Sequence, residues 1–292
     1  MAVSARIIRS RIKSVSNTKK ITKAMELVSA AKMRRAVMLA TSARRYAALG
    51  TALLKNLSVL GATIEHPFFR RTENPKKVLC IVIGSDRGLC GAYNAGLMRA
   101  TELAMGKFND VDYITASRYA ELALRRTGRN IIASFSGLTN APRAAAVRPI
   151  ARLAESEFSS GIYDAVYIAS TNYVSALRQT PEVKVLLPLN ESKTSNDAKD
   201  ALSELPIDAV FEPDPKTVLE YTLPRFLEAS VYQAVLEAAA SEHSARMMSM
   251  RSASDAASDM MTDLTFTLNQ ARQSAITSEI AEISAGRAAL EG

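Results

Sequence analysis

Gly84-Ser85-Asp86-Arg87-Gly88-Leu89-Cys90-Gly91 brings glycines, a hydroxyl, both signs of charge and a thiol into one short stretch, after an apolar run at 78–83. Glycine-rich turns between a strand and a helix are where phosphates are cradled, because free backbone amides and the positive end of the helix dipole converge there. The spacing here does not fit that chemistry. A phosphate loop closes on Gly-Lys-Ser/Thr, whereas Ala92 and Tyr93 follow Gly91, and a dinucleotide turn needs glycines at its first, third and sixth positions. The stretch is therefore read as a tight turn offering Asp86 and Arg87 as a charged contact, with nucleotide binding as the alternative.

Other reactive residue types are sparse. Cys90 could be activated if Arg87 lowered its pKa, but no histidine lies near it in sequence to act as base, so it is read as inert. Cys80 and Cys90 suit a reducing compartment, and with His66 and His243 they show no zinc-ligand spacing. His243, flanked by Glu242 and Arg246, is assigned to the surface of a helix. No two carboxylates stand in contrasting environments that would divide acid from base roles. The expectation is no catalytic residue, no cofactor and no metal.

The elements that would carry these residues are unusual. Neither glycine nor proline occurs at 1–49 or at 225–285, so both stretches can be unbroken helices, about 75 Å and about 90 Å long against about 30 Å for a small domain. They would fit as an antiparallel pair, each burying the other's apolar stripe. In the first, Ile12, Val15, Thr22, Met25, Ser29, Ala36, Leu39, Ala43, Tyr46, Leu53, Leu57 and Leu60 recur near every third or fourth position. In the second, Met247, Met250, Ala257, Met261, Leu264, Leu268, Ala271 and Ala275 do the same. Small and flexible side chains make the seam thin. Residues 1–45 hold twelve Lys/Arg and one acid, Glu26, while 213–292 carries six Lys/Arg against eleven acids. A basic helix would thus face an acidic one. The basic start also resembles a transit peptide or a nucleic-acid arm. The helical pattern continues past 40 and no aromatic precedes Tyr46, so both readings are set aside.

Between the helices, Pro67 and Pro75 bracket a connector at 61–75. Apolar runs at 78–83, 113–115, 131–135, 165–169 and 183–187 alternate with helical patterns at 92–107, 118–126 and 144–158, predicting a Rossmann-like α/β domain over 76–212 with a mainly parallel sheet. Residues 191–203 read as a polar loop and 207–211 as a last strand, and Pro213, Pro215 and Pro224 punctuate the exit before the C-terminal helix of 213–292. No apolar run reaches the 18 or so residues of a membrane span. The second helix outlasts the first, which leaves Ile276, Ile280 and Ile283 as a stripe that the first helix does not reach. Burying each is worth about 1.5–3 kcal/mol, which points to a partner's apolar collar. A sliding register that covers them is the other reading.

Three stretches carry a resemblance: Ile12-Lys13-Ser14-Val15-Ser16-Asn17-Thr18 with Lys20-Ile21-Thr22-Lys23-Ala24-Met25-Glu26-Leu27-Val28, then Ser85-Asp86-Arg87-Gly88-Leu89-Cys90-Gly91, then Ala245-Arg246-Met247 with 269–283. In that order they resemble the gamma subunit of F-type ATP synthases. The resemblance implies a non-catalytic central rotor shaft: a two-helix rod inside a hexamer of three alpha and three beta subunits, and an α/β domain on the membrane c-ring beside the epsilon subunit. It implies the cytoplasmic face of a bacterial inner membrane, through the complex. Met25, Arg246, Gln273 and Thr277 would face beta subunits or support contact with them, and the turn bearing Asp86, Arg87 and Cys90 would lie near the beta lever and the lower bearing. Ile276, Ile280 and Ile283 would turn in the bearing. Gly286-Arg287 departs from the family's usual Gly-Ala. The competing readings are an α/β nucleotide-binding enzyme with a helical dimerisation rod and a basic coiled-coil nucleic-acid binder.

Overall fold

The computed structural model describes residues 5–60, 66–70, 72–189 and 214–291. The expected loop at 191–203 and strand at 207–211 lie outside them. The chain divides into two compact units, one of residues 1–29 with 247–292, the other of residues 30–246. Two long helices contribute to both, α1 (Ala5–Leu60) and α5 (Pro215–Glu291), and they pack against each other.

In the larger unit a five-stranded sheet forms from β1 (Lys77–Val82), β2 (Asp110–Thr115), β3 (Asn130–Ser134), β4 (Ala165–Tyr173) and β5 (Gln179–Leu187), in the order β3-β2-β1-β4-β5. The first four strands run parallel, and β5 returns antiparallel along β4. The mainly parallel sheet expected from alternating strand and helix patterns is what forms. Parallel strands need crossover helices, which cover both faces. α2 (Tyr93–Met105) and α3 (Arg118–Arg126) cover one face, α4 (Ala144–Ser159) and the start of α5 the other. β1 shows why its sequence is a continuous apolar run. Leu79, Ile81 and Ile83 point into the α4/α5 core while Val78, Cys80 and Val82 point into the α2/α3 core.

The prolines do not delay α5 to residue 225. The Asp214 carboxylate accepts the Thr217 amide at 2.9 Å and the Thr217 hydroxyl at 2.7 Å, and Pro215 follows at the first helical position, where its missing N–H costs nothing. Pro224 lies inside the helix. An interior proline costs about 3 kcal/mol. Leu219, Leu223, Leu227, Val231 and Val235, one turn apart and fully buried against the sheet, contribute about 1.5–3 kcal/mol each and outweigh it.

The two long helices are antiparallel in this unit. Ala36 packs with Ala239 and Ala240, and Arg44, further along α1, pairs with Glu237, earlier on α5, at 3.0 Å. Alanine faces let the backbones approach closely. The smaller unit is the same pair of helices alone. On α1, Ile8, Thr22 and Ser29 are buried and Ile12, Val15 and Met25 half-buried; on α5, Met250, Ser254 and Ala257 are buried and Met261, Leu264, Leu268 and Ala271 half-buried. The seam read from the sequence is the covered face, apart from its last member. Ala275 is exposed. Tyr46, Leu53, Leu57 and Leu60 fall outside the residues whose side chains are described.

Candidate functional site

The turn after β1 is built from the inside. Gly84 donates its amide to Ser117 Oγ at 3.2 Å and Ser85 donates to Asn94 Oδ1 at 3.1 Å. Asn94 Nδ2 donates to Ser85 Oγ at 2.7 Å and to Cys90 Sγ at 3.3 Å. Ser117 is also the cap of α3, accepting the Ala120 amide at 3.3 Å. A Cβ on Gly84 would stand 2.7 Å from Ser117 Oγ, so this glycine is required by close approach. The first two amides of the turn, Gly84 and Ser85, are thus occupied by side chains of the same fold. Beside the turn, Tyr93 donates its hydroxyl to the Ala238 carbonyl at 3.3 Å and Ser241 Oγ donates to the Thr171 carbonyl at 3.1 Å. These bonds lay α5 along the ends of the strands, where α/β folds commonly take their ligands.

Four of the expected contact residues meet here. Asp86 does not stand out as a free charge: Oδ1 accepts the Arg118 amide at 3.0 Å and Oδ2 the Gly137 amide at 2.7 Å, tying the turn to α3 and to the loop before α4. Arg246 reaches the turn from α5. Its Nη2 donates to the Arg87 carbonyl at 2.9 Å, Nε to the Gly88 carbonyl at 3.2 Å and Nη1 to Glu242 Oε1 at 2.8 Å. The planar fork serves three acceptors at once. Cys90 is buried, whereas the Arg87 side chain is exposed. Leu89 stands between them at φ 62, and 60% exposed. A non-glycine residue in that conformation carries roughly 1–2 kcal/mol of strain.

His243 corrects the sequence reading. It is buried, only 4% exposed, because α5 is enclosed on every side over Ala238, Ala239, Ala240, Ser241 and Ser244. Burial, then the Arg246 guanidinium and Lys32, push its pKa down to about 4, against a hydrogen bond to the Thr139 backbone. Burial pushes the Glu242 carboxyl up from its ordinary value, and the nearby Arg246 charge only partly offsets this. Glu242, Asn94 and Ser117 join the site without having been expected there from the sequence. A signal existed for the first, since Glu242 and Arg246 are one helical turn apart; Asn94 and Ser117 act across the fold.

The other expected residues lie in the two-helix unit. Met25 is half-buried in the seam. Gln273 and Thr277 are exposed, and the Thr277 hydroxyl donates to the Gln273 carbonyl at 2.9 Å. From Arg272 to Arg287 every side chain on α5 is exposed. Ile276, Ile280 and Ile283 are 48%, 59% and 72% exposed.

A family model described as ATP synthase matches residues 4–290. ATP synthase gamma chains of Pelotomaculum thermopropionicum and Herpetosiphon aurantiacus are 40% and 41% identical to this chain, over 99% and 98% of it and 99% of each relative. The chain belongs to the ATP synthase gamma-chain family. As a gamma chain it is a rotor subunit of the synthase and not its catalyst. Its fold recurs in a chain of the Euglena gracilis mitochondrial ATP synthase, at a TM-score of 0.67 and 18% identity over 98% of this chain and 94% of that one. A chain from the central stalk and c-ring structure of the Tetrahymena thermophila mitochondrial enzyme shares it at a TM-score of 0.62 and 24% identity, over 80% and 99%. No helix among the described residues of this gamma chain is long and apolar enough to cross a membrane.

Proposed function

We propose that this gamma chain transmits torque between a membrane c-ring and a hexamer of three alpha and three beta subunits, with its α/β domain beside an epsilon subunit, at the cytoplasmic face of a bacterial inner membrane. The observation that carries the proposal is the end of the buried seam at Ala271, beyond which α5 continues to Glu291 with its isoleucine stripe in solvent. Three exposed isoleucines on one helical face forgo about 1.5–3 kcal/mol each that an apolar surround would recover. A collar formed by the hexamer supplies it while leaving the helix free to turn, since apolar contact has no preferred direction. Gln273 and Thr277 stand on the same exposed length, where an amide and a hydroxyl can form exchangeable hydrogen bonds to successive beta subunits. Met25 and Arg246 support those contacts from within the chain, one by seam packing and the other by holding the 86–90 turn.

The test is the double variant Ile276→Asp with Ile280→Asp. Both positions are exposed, so the melting temperature of the isolated chain is expected to stay within a few degrees of the parent. In the reconstituted complex, ATP-driven ion pumping is expected to fall about tenfold or more, as two apolar contacts become buried charges. Undiminished pumping would refute the bearing.

A further inference from the structure

In the larger unit α5 and α1 are fastened in different ways. α5 sinks its leucine stripe into the core, and its Ser241 and Ser244 hydroxyls donate to the Thr171 and Ala176 carbonyls at 3.1 Å and 2.8 Å. Among the described residues of α1 from 30 onward, the buried side chains are those of Ala36 and Ala40, and Ala36 packs on Ala239 and Ala240. Apolar contact has no preferred direction, and an alanine face presents no knob to stop one helix sliding or rolling on the other.

Two described side chains on that stretch of α1 form polar bonds to other elements. Lys32 Nζ donates to Asn140 Oδ1 at 2.6 Å, and Arg44 Nη2 donates to Glu237 Oε1 at 3.0 Å. Lys32, Ala36, Ala40 and Arg44 stand at successive one-turn steps on one stripe of the helix, so the two bonds flank the alanines across about 18 Å of axis. The donors are long and flexible, but the acceptors are fixed. Asn140 belongs to the loop before α4, where Leu138 is buried in the core, Thr139 is buried and the Gly137 amide is held by Asp86. Glu237 is 9% exposed and accepts from Gln233 Nε2 at 2.8 Å. A single bond would let α1 pivot about it. Two, separated along the axis, hold its angle and its register.

We infer that Lys32 and Arg44 are positioning residues for torque, keying α1 to the loop before α4 and to α5 so that under load it turns with the α/β domain instead of rolling on its alanine face. The inference rests on the proposed torque role of the chain.

The experiment uses the full-length chain in complexes reconstituted into vesicles. One variant combines Lys32→Met with Arg44→Met and Glu237→Gln, which keeps the long stems and leaves no buried carboxylate unpaired. A second carries Lys32→Arg alone. Three quantities are read: the melting temperature of the chain, ATP turnover with no ion gradient, and ATP turnover without pumping against an opposing gradient. In the combined variant the first two are expected to match the parent, while turnover without pumping under load rises about tenfold, as the loss of two ordinary hydrogen bonds gives. Lys32→Arg, which retains a donor, is expected to couple like the parent. Pumping by the combined variant equal to the parent's at every gradient would overturn the keys and leave the torque reading standing. A melting temperature lowered by ten degrees or so, or equal losses with and without load, would overturn them by showing that these side chains only hold the fold together. A parent complex that hydrolyses ATP without pumping would overturn the torque reading itself.

Discussion

His243 is the side chain whose ionisation the fold resists most clearly. Its pKa lies near 4 in the folded chain against about 6.5 when unfolded, so between those values the unfolded state binds more protons. The stabilisation is fully present above pH 6.5 and is lost as pH falls towards 4. The limit is about 3 kcal/mol. Glu242, with its pKa raised by burial, works in the opposite sense, favouring the folded state as pH falls, and trims the effect. His243→Gln is expected to flatten the dependence of the melting temperature on pH between 6.5 and 4.5; an unaltered pH profile would mean the ring is not held neutral. That burial was not legible locally, since Glu242 and Arg246 mark the neighbourhood as polar. What encloses it is the run of small residues at 238–241 and 244, which lets neighbouring elements close over both side chains, with Arg246 Nη1 2.8 Å from Glu242 Oε1. Arg246 has one partner within reach of a spacing rule, Glu242 one helical turn away, while its others, the Arg87 and Gly88 carbonyls, lie 159 and 158 positions away in the chain, where no such rule reaches.

At the scale of elements, periodicity was a reliable guide wherever burial follows a fixed period. The α1 and α5 seams and the continuous apolar β1 have that property. It was a poor guide where polar residues complete an element. β5 begins at Gln179 and β4 runs on to Tyr173, because hairpin pairing with a neighbouring strand extends both beyond their apolar cores. The start of α5 shows propensity overridden by packing, since the buried leucine stripe carries the helix through Pro224. Helix α3 depends on a single hydroxyl. Ser117 Oγ accepts both the Ala120 and Gly84 amides while only 1% exposed, so Ser117→Ala would lose a cap and orphan a buried donor. The expected loss is about 2 kcal/mol in denaturant unfolding. A loss under 0.5 kcal/mol would show that water replaces the hydroxyl.

At the scale of the molecule, the chain joins a rigidly bonded α/β unit to a pair of helices whose contacts are thin. The first suits a load carried without deformation: a sheet covered on both faces, with its principal turn anchored by Asp86, Asn94 and Arg246. The second suits a part that must pass several equivalent neighbours without settling against one, because alanine, serine and methionine give shallow packing and exposed ion pairs are individually worth under about 1 kcal/mol. Rotation tests that division most directly. With Cys80 and Cys90 both buried, a thiol introduced by Leu103→Cys, at a position 85% exposed on α2, takes a bead selectively. In complexes of this chain with immobilised alpha and beta subunits, the bead is expected to turn persistently in one direction while ATP is hydrolysed and to stop when ATP is removed. Hydrolysis at full rate with the bead stationary would contradict the rotor account.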